Sequence, residues 1–300
     1  MSKQFFSAKK LLKLIKEEKK TIADLVIESE NELTLRSKTE IRENMKKRLI
    51  IMKESIERGL KGHKSVSGMI GKEGLKLLNC VEDKNMVCSK MQLKAASYAV
   101  AVMTCNTSLG RIVAAPTAGA SGILPGLIFA YLEEKKLDIE IGVDALLTAA
   151  GIGLIIANKS TFSAAQAGCQ AEIGTASAMG AAALSYMREM SAEACIDSAG
   201  LALKNMLGLA CDPVGGLVEI PCVKRNAFGI SHAFMASDMV YAGIKSVIPF
   251  DEIIMALNDI GRSMSVRIKE TAQGGLATTL TGKKLGLPFL KNGKNNKTVE

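Results

Sequence analysis

Two segments marked by glycine and proline decide how this 300-residue chain is built: FSAAQAGCQAEIGTASAMGAAA (162–183) and LGLACDPVGGLVEIPCVKRN (207–226). Both interrupt runs of helix-forming residues. Each places cysteine beside Gly or Pro, with Cys169 in the first segment and Cys211 and Cys222 in the second. Turns hold side chains that must point somewhere specific, whereas helices mostly hold side chains that pack. We therefore interpret these cysteines as functional and the surrounding helices as their support.

The composition around these segments predicts an all-α protein. Apolar residues make up 48% of the chain and aromatic residues only 4%, with no Trp and 15 Met. Small aliphatic residues favour closely packed helices, and no segment shows the alternation typical of a strand. The predicted organisation is a basic helical arm over 1–62, a single multi-helix catalytic domain over 63–282 whose turns converge on the cysteines, and a mobile basic tail over 283–300.

The formal net charge of +9 lies at the two ends of the chain. Residues 1–62 carry a net charge of +6 and residues 283–300 carry +4, while residues 63–282 carry −1. A nucleic-acid groove needs basic and aromatic residues on the functional surface, and here the region with the unusual turns is nearly neutral. The charge pattern therefore indicates solvated helix faces and argues against nucleic-acid binding.

Seven cysteines in a chain of this length indicate a reducing compartment, and we expect the cytoplasm. Cys80, Cys88, Cys105 and Cys195 lie within helical patterns, which favours structural thiols. The longest apolar run, 145–157, is too short to cross a bilayer and is predicted to be a buried core helix, so no membrane partner is expected.

A further turn, AAPTAGASGILPG (114–126), precedes an apolar helix. It can present backbone N–H groups and hydroxyls at the positive end of a helix dipole, an arrangement that suits a carboxylate or a phosphate. The same residues are equally compatible with an ordinary interhelical turn. The polar loop 158–163 lies just upstream of Cys169.

The spacings between the three turn cysteines, 42 and 11 residues, match no zinc template. Three thiolates without a fourth would leave one iron of an Fe–S cluster free of protein sulfur, and such an open site can act as a Lewis acid. From the residues alone, an open cluster competes with an arrangement of two structural cysteines and one reactive thiol.

Four runs together resemble the alpha chain of the bacterial iron–sulfur-dependent L-serine dehydratases (L-serine ammonia-lyases). They are APTAGASGILPG (115–126), AGCQAEIGTASAMGAAA (167–183), LKNMLGLACDPVGGLVEIPCVKRNAFG (203–229) and ETAQGGLATT (270–279). The resemblance implies an all-helical chain that holds a [4Fe–4S] cluster through Cys169, Cys211 and Cys222, without pyridoxal phosphate. The implied reaction is the dehydration of L-serine, with hydrolysis to pyruvate and ammonia, in amino-acid catabolism and gluconeogenesis.

A serine site also needs donors for the substrate carboxylate and a general base. The turn 116–122 is the first candidate for the carboxylate and the loop 158–163 the second. No motif assigns the base, for which the candidates are His63, His232, Lys224 and Glu172. The expected substrate-binding residues are Thr117, Gly119, Ala120, Ser121, Gly122, Asn158, Ser160 and Ser163.

The resemblance further implies a separate beta chain that completes the site, in a heterodimer or a larger assembly. Single-chain relatives carry an additional N-terminal domain, which the basic arm over 1–62 cannot replace. Some relatives cap the cluster with a cysteine in the C-terminal tail. Residues 285–300 contain no cysteine, so this capping is not expected.

Two alternatives remain beside serine deamination. The same fold and cluster could serve an L-cysteine desulfidase or an L-threonine dehydratase, because no motif separates a hydroxyl from a thiol leaving group. The alternative from another class is a non-catalytic binding or scaffold protein whose glycine turns are purely structural.

Overall fold

The computed structural model describes residues 3–286, and within that range the protein is all-α, as predicted. The only β-type pairing there is an isolated parallel bridge between Cys211 and Lys269. Twelve α-helices with defined bounds are, in chain order, α1 Ala8–Glu18, α2 Ile22–Thr34, α3 Lys38–Leu60, α4 Glu73–Asn79, α5 Lys90–Thr107, α6 Ile123–Lys135, α7 Ile139–Lys159, α8 Ala164–Ala167, α9 Thr175–Met187, α10 Ala192–Lys204, α11 Cys222–Tyr241 and α12 Phe250–Ser263. Residues 280–286, the last ones described, are also α-helical.

Helix α9 is the centre of the molecule and directly follows the Cys169 turn. It packs against α6, α7, α10 and α11 and is buried along its length except at Tyr186. Its sequence TASAMGAAALSYM consists mainly of small residues, so the backbones of the neighbouring helices can approach closely. Of the cysteines assigned a structural role, Cys105 on α5 and Cys195 on α10 are buried in this core.

The first three helices pack on the core through one face each. Their starts are fixed by the side chains of Ser7, Thr21 and Ser37, each accepting a hydrogen bond from a backbone N–H group of the first turn. Phe5, Leu11, Leu14, Leu25, Leu49 and Met52 from this region belong to the same buried cluster as α5–α10. The boundary at residue 62 stays a prediction. The predicted mobile tail begins at residue 283, and its part beyond residue 286 lies outside the described residues.

Helix α7 is the one helix among the described residues that is long and apolar enough to span a membrane by length and composition. At 21 residues it is longer than the apolar run that the sequence suggested. Of its 18 most apolar consecutive residues, 67% are buried inside the protein, where the helix packs against α2, α3, α6 and α9. This burial agrees with the predicted core helix.

Candidate metal centre

The Cys169 turn is fastened to the segment that carries Cys211. Gly168 precedes the cysteine with φ of +74°, and a Cβ atom there would lie 2.8 Å from the carbonyl oxygen of Leu209. The Gln170 N–H donates to that same oxygen at 3.1 Å, and the Gln170 Oε1 accepts from the Gly208 N–H at 2.9 Å. Only glycine fits this close approach in a left-handed conformation. The backbone therefore sets the position of the first cysteine relative to the second.

Cys211 and Cys222 are positioned by different devices. The Cys211 N–H donates to the Ile268 carbonyl at 2.8 Å, and the Cys211 carbonyl accepts from the Glu270 N–H at 2.9 Å. Cys222 is the first residue of α11 and follows a cis Ile220–Pro221 bond. The chain reverses between them through Gly215 and Gly216, which both have positive φ. The three cysteines thus come from three separately anchored segments.

The three thiols are buried and lie within electrostatic reach of one another. A hydrogen bond with the Cys169 thiol raises the pKa of Cys211, and burial together with the charges of Cys169 and Cys222 raises it further. Burial raises the pKa of Cys222 as well, with a contribution from Cys169. The raised pKa values disfavour the thiolate forms of Cys211 and Cys222, so these thiolates would need a cationic partner, which a metal centre would supply.

The three cysteines do not form a ready-made site for one metal ion. Within residues 3–286, no group of three or more His, Cys, Asp and Glu side chains is spaced to hold one metal ion. Thiolates that bind different irons of a cluster need not converge on one point. Neither Cys80, which is partly exposed, nor the exposed Cys88 belongs to this group of thiols.

Arg225 is the cation of the centre, and the sequence did not single it out. Its Nη1 donates to the Cys169 sulfur at 3.4 Å and to the Ala210 carbonyl at 2.9 Å, and its Nη2 contacts the Asp212 carboxylate at 2.9 Å. Burial opposes its charge, but Cys169 and Asp212 raise the pKa of Arg225 above its ordinary value. The sequence signal that could have identified Arg225 is its position one helical turn after Cys222, at the start of α11.

The Glu172 carboxylate is bonded to two of the donor groups of the 116–122 turn. Its carboxylate accepts a hydrogen bond from the Thr117 hydroxyl and one from the Gly119 backbone. A Cβ atom on Gly119 would lie 2.6 Å from the Glu172 Oε1, so only glycine leaves room for the carboxylate. The turn therefore contacts a carboxylate of the protein itself, and its binding of a substrate carboxylate stays a prediction.

Burial raises the pKa of Glu172 above its ordinary value, and the charge of Glu270 adds to this effect. The hydrogen bond from Thr117 and the charge of Arg225 oppose it. Glu172 lies in a π-helical segment, Gln170–Gly174, between Cys169 and α9. Such segments are often found at functional sites. The charge of Glu172 also raises the pKa of Cys222, so the carboxyl acts electrostatically on a candidate ligand.

The other donors of the turn have partners within the protein. The Ala120 N–H donates to the Thr117 hydroxyl at 3.3 Å, and the buried Ser121 hydroxyl donates to the Ala118 carbonyl at 2.8 Å. The Gly122 N–H donates to the Asn226 Oδ1 at 3.0 Å. Their role in binding a substrate stays a prediction. It would require these groups to give up their bonds within the protein for bonds to the substrate.

Asn226 links the turn to the helix of Cys222. Its Nδ2 donates to the Gly119 carbonyl at 2.8 Å and to the Cys222 carbonyl at 3.0 Å, and the whole side chain is buried. Together with the bond from Gly122, this one amide fixes the carboxylate turn relative to a candidate ligand. Sequence reasoning missed it, although it lies four residues after Cys222.

The structure places the residues of the second candidate loop by contacts that do not involve the thiols. The Asn158 Nδ2 donates to the Leu154 carbonyl at 2.8 Å, within α7. The Ser160 hydroxyl donates to the Asn258 Oδ1 on α12 at 2.8 Å, and the Ser163 N–H donates to the Thr161 hydroxyl at 3.0 Å. These bonds fix the ends of α7 and α8, and a substrate role for this loop stays a prediction.

The four base candidates occupy different places. His63 is exposed in the loop after α3. His232 and Lys224 line a cavity of about 350 Å³ with Arg225 and Phe228, and burial lowers the pKa of His232. Of the four, Glu172 is the one that contacts the 116–122 turn and whose charge also raises the pKa of a candidate ligand, Cys222.

Known proteins resemble this chain over most of its length. The family model "Serine dehydratase alpha chain" matches residues 17–277. The chain is 42% identical over 281 residues to the "Probable L-serine dehydratase, alpha chain" of Bacillus subtilis, covering 94% of each protein. It is 37% identical over 288 residues to the "L-serine dehydratase, alpha chain" of Peptoniphilus asaccharolyticus, covering 96% of this chain and 99% of that protein.

A longer relative matches through part of its length. The "L-serine dehydratase" of Streptomyces coelicolor is 35% identical over 284 residues, which cover 92% of this chain and 61% of that protein. The matches to the family model and to the two alpha-chain relatives extend through the cysteine segments, the 116–122 turn and most of the helices described above. The chain belongs to the L-serine dehydratase alpha chain family.

Proposed function

We propose that this chain is the catalytic alpha chain of an iron–sulfur-dependent L-serine ammonia-lyase, which converts L-serine to pyruvate and ammonia. The observation that supports the proposal is the electrostatic coupling of Cys169, Cys211 and Cys222, from three anchored segments, together with a buried carboxyl and a buried guanidinium. Family membership supports the substrate, because the relatives are named L-serine dehydratases.

In this proposal the three cysteines hold a [4Fe–4S] cluster. When bound, such a cluster supplies a Lewis acid that makes the substrate hydroxyl a better leaving group. Arg225 balances part of the negative charge of the thiolates, and Asp212 keeps the guanidinium in place. The low dielectric of the buried site strengthens these interactions.

Glu172 is the group of this chain that we assign to proton transfer. A carboxyl whose pKa is raised by burial is a stronger base than an exposed one, which suits the acceptance of a proton. Thr117 and Gly119 orient it through hydrogen bonds to the carboxylate. Removal of the α-proton and departure of the hydroxyl give aminoacrylate, which hydrolyses in water to pyruvate and ammonia.

A separate beta chain completes the enzyme in this proposal. Two relatives of nearly equal length are named alpha chains, and the longer Streptomyces coelicolor protein continues beyond the matched part. The exposure of Glu270, next to Cys211, leaves that side of the centre open for a second chain. A cytoplasmic location is part of the same proposal, and it is supported by seven free thiols.

The test is anaerobic reconstitution with iron and sulfide, followed by assays with L-serine, L-threonine and L-cysteine in the presence of the beta chain. We expect a brown, oxygen-labile protein that deaminates serine. Cys169→Ala, Cys211→Ala and Cys222→Ala should each abolish colour and activity. Cys195→Ala, a matched control in the core, should retain both.

Three outcomes would contradict the proposal. A colourless wild-type protein would favour a scaffold, and sulfide release from cysteine without useful serine turnover would favour a desulfidase. Full iron content in all three ligand variants would refute the assignment of the ligands.

A further inference from the structure

The segment 270–279, ETAQGGLATT, is held against the metal centre but has no part in the chemistry described so far. It begins at Glu270, whose N–H donates to the Cys211 carbonyl at 2.9 Å. Six residues later, the Leu276 N–H donates to the Asp212 Oδ2 at 2.7 Å. The segment is therefore fastened at two points to the consecutive residues Cys211 and Asp212.

The backbone of this segment is strained where it meets the centre. Glu270 has φ of +62° and Ala272 has φ of +54°, both in the left-handed region. This conformation is less favourable than the right-handed region for a residue with a side chain. Such strain persists where surrounding bonds fix the backbone, and it is concentrated at functional sites. At Glu270, the two ladder bonds of Cys211 provide this constraint.

The carboxylate of Glu270 has no hydrogen-bonding or ion-pair partner among residues 3–286, and its side chain is exposed. It nevertheless acts on the interior, because its charge raises the pKa of the buried Glu172. The nearby cation cannot neutralise it, since Arg225 is already bound to Cys169, Ala210 and Asp212. A negative group at the rim of a buried site, without its own cation, suits a cationic ligand.

Resting on the proposed function, we propose that Glu270 binds the α-ammonium group of the amino-acid substrate. An ammonium–carboxylate pair is a charge-assisted hydrogen bond, which is stronger than a bond between neutral groups. The backbone bonds to Cys211 place this carboxylate beside the candidate ligands, so the ammonium would be held next to the centre at which the hydroxyl departs. Glu270 would then select amino acids over hydroxy acids that lack the ammonium.

The test compares two non-reactive ligands on the reconstituted holoenzyme with its beta chain. L-Alanine carries the ammonium and the carboxylate, whereas 3-hydroxypropionate carries the carboxylate and the hydroxyl without the ammonium. Calorimetry on Glu270→Gln should show the Kd of L-alanine raised at least tenfold and the Kd of 3-hydroxypropionate unchanged within twofold. In the same variant, the KM for L-serine should rise together with the Kd of L-alanine. Glu57→Gln, which removes an exposed carboxylate on α3, is the control and should behave as wild type.

The outcomes separate this inference from the proposed reaction. If both ligands weaken together in Glu270→Gln, the residue supports the fold of the site and the inference is wrong. It is also wrong if L-alanine binds as it does to Glu57→Gln, or if the wild-type holoenzyme does not bind L-alanine. A holoenzyme that fails to deaminate serine contradicts the reaction alone, because L-alanine binding requires no turnover.

Discussion

Asn226 offers the sharpest test of how the fold builds the centre. Its buried amide makes three bonds, which satisfy the Gly122 N–H, the Gly119 carbonyl and the Cys222 carbonyl. In Asn226→Ala, the Cys222 carbonyl keeps its helical bond, whereas the other two groups lose their side-chain partner. An unsatisfied buried polar group costs about 1–3 kcal/mol, so two of them should cost about 2–6 kcal/mol.

This loss is a large share of the stability of a typical domain, which is about 5–15 kcal/mol. We expect anaerobic urea unfolding of the cluster-free chain to show a midpoint shifted by this free energy, with an unchanged denaturant slope. Because the same amide fixes the carboxylate turn relative to Cys222, iron content after reconstitution should also fall below that of wild type.

Two further variants make the result interpretable. Asn226→Asp keeps the acceptor for Gly122 but turns an oxygen toward the two carbonyl groups, so it should be at least as destabilised as the alanine variant. Asn205→Ala removes an exposed amide that caps α10 with a bond of 2.8 Å to the Leu201 carbonyl. Loss of this single exposed bond should cost no more than about 0.5–1.5 kcal/mol, less than the loss expected for Asn226→Ala. Equal stability of Asn226→Ala and Asn205→Ala would refute the reasoning.

Two other predictions follow from close contacts and ion pairs. Gly119→Ala drives a methyl group into the Glu172 carboxylate, so kcat should fall by about 10²-fold or more with iron retained, whereas Gly71→Ala, with 3.6 Å to its nearest neighbour, should be active. Equal activity of the two would contradict the assignment of Glu172. In the N-terminal region, hydrogen bonds from Lys20 and Lys3 hold the pKa of Glu18 at about 2, below its ordinary 4.5. The stabilisation is therefore present above pH 4.5 and is lost as the pH falls toward 2. Glu18→Gln should lower the urea midpoint at pH 5.5, with a difference that narrows on acidification, and a constant difference would refute this linkage.

Much of the fold and part of the site could be predicted from the sequence. The small-residue runs and the absence of alternating segments predicted an all-α protein, because helix periodicity and side-chain volume are local properties. Gly168 and Pro221 marked turns at Cys169 and Cys222, since the conformations that they require are also local. The motif at 115–126 left an anion-binding turn and an ordinary interhelical turn open, and in the structure its Thr117 hydroxyl bonds to the Glu172 carboxylate. Its role toward a substrate carboxylate stays a prediction.

The sequence by itself therefore determined the helices, the turns and the three cysteines as a set apart from the others. Only the tertiary structure decided which groups meet: Glu172 with Thr117, Arg225 with Cys169, and Glu270 with Cys211. Each pair joins residues more than fifty positions apart. The physical reason is that local patterns specify where the chain turns and which faces are buried, whereas the packing of α9 and α11 sets the distances between segments. Those distances determine which charged and polar side chains contact one another, and therefore where the chemistry of the site can take place.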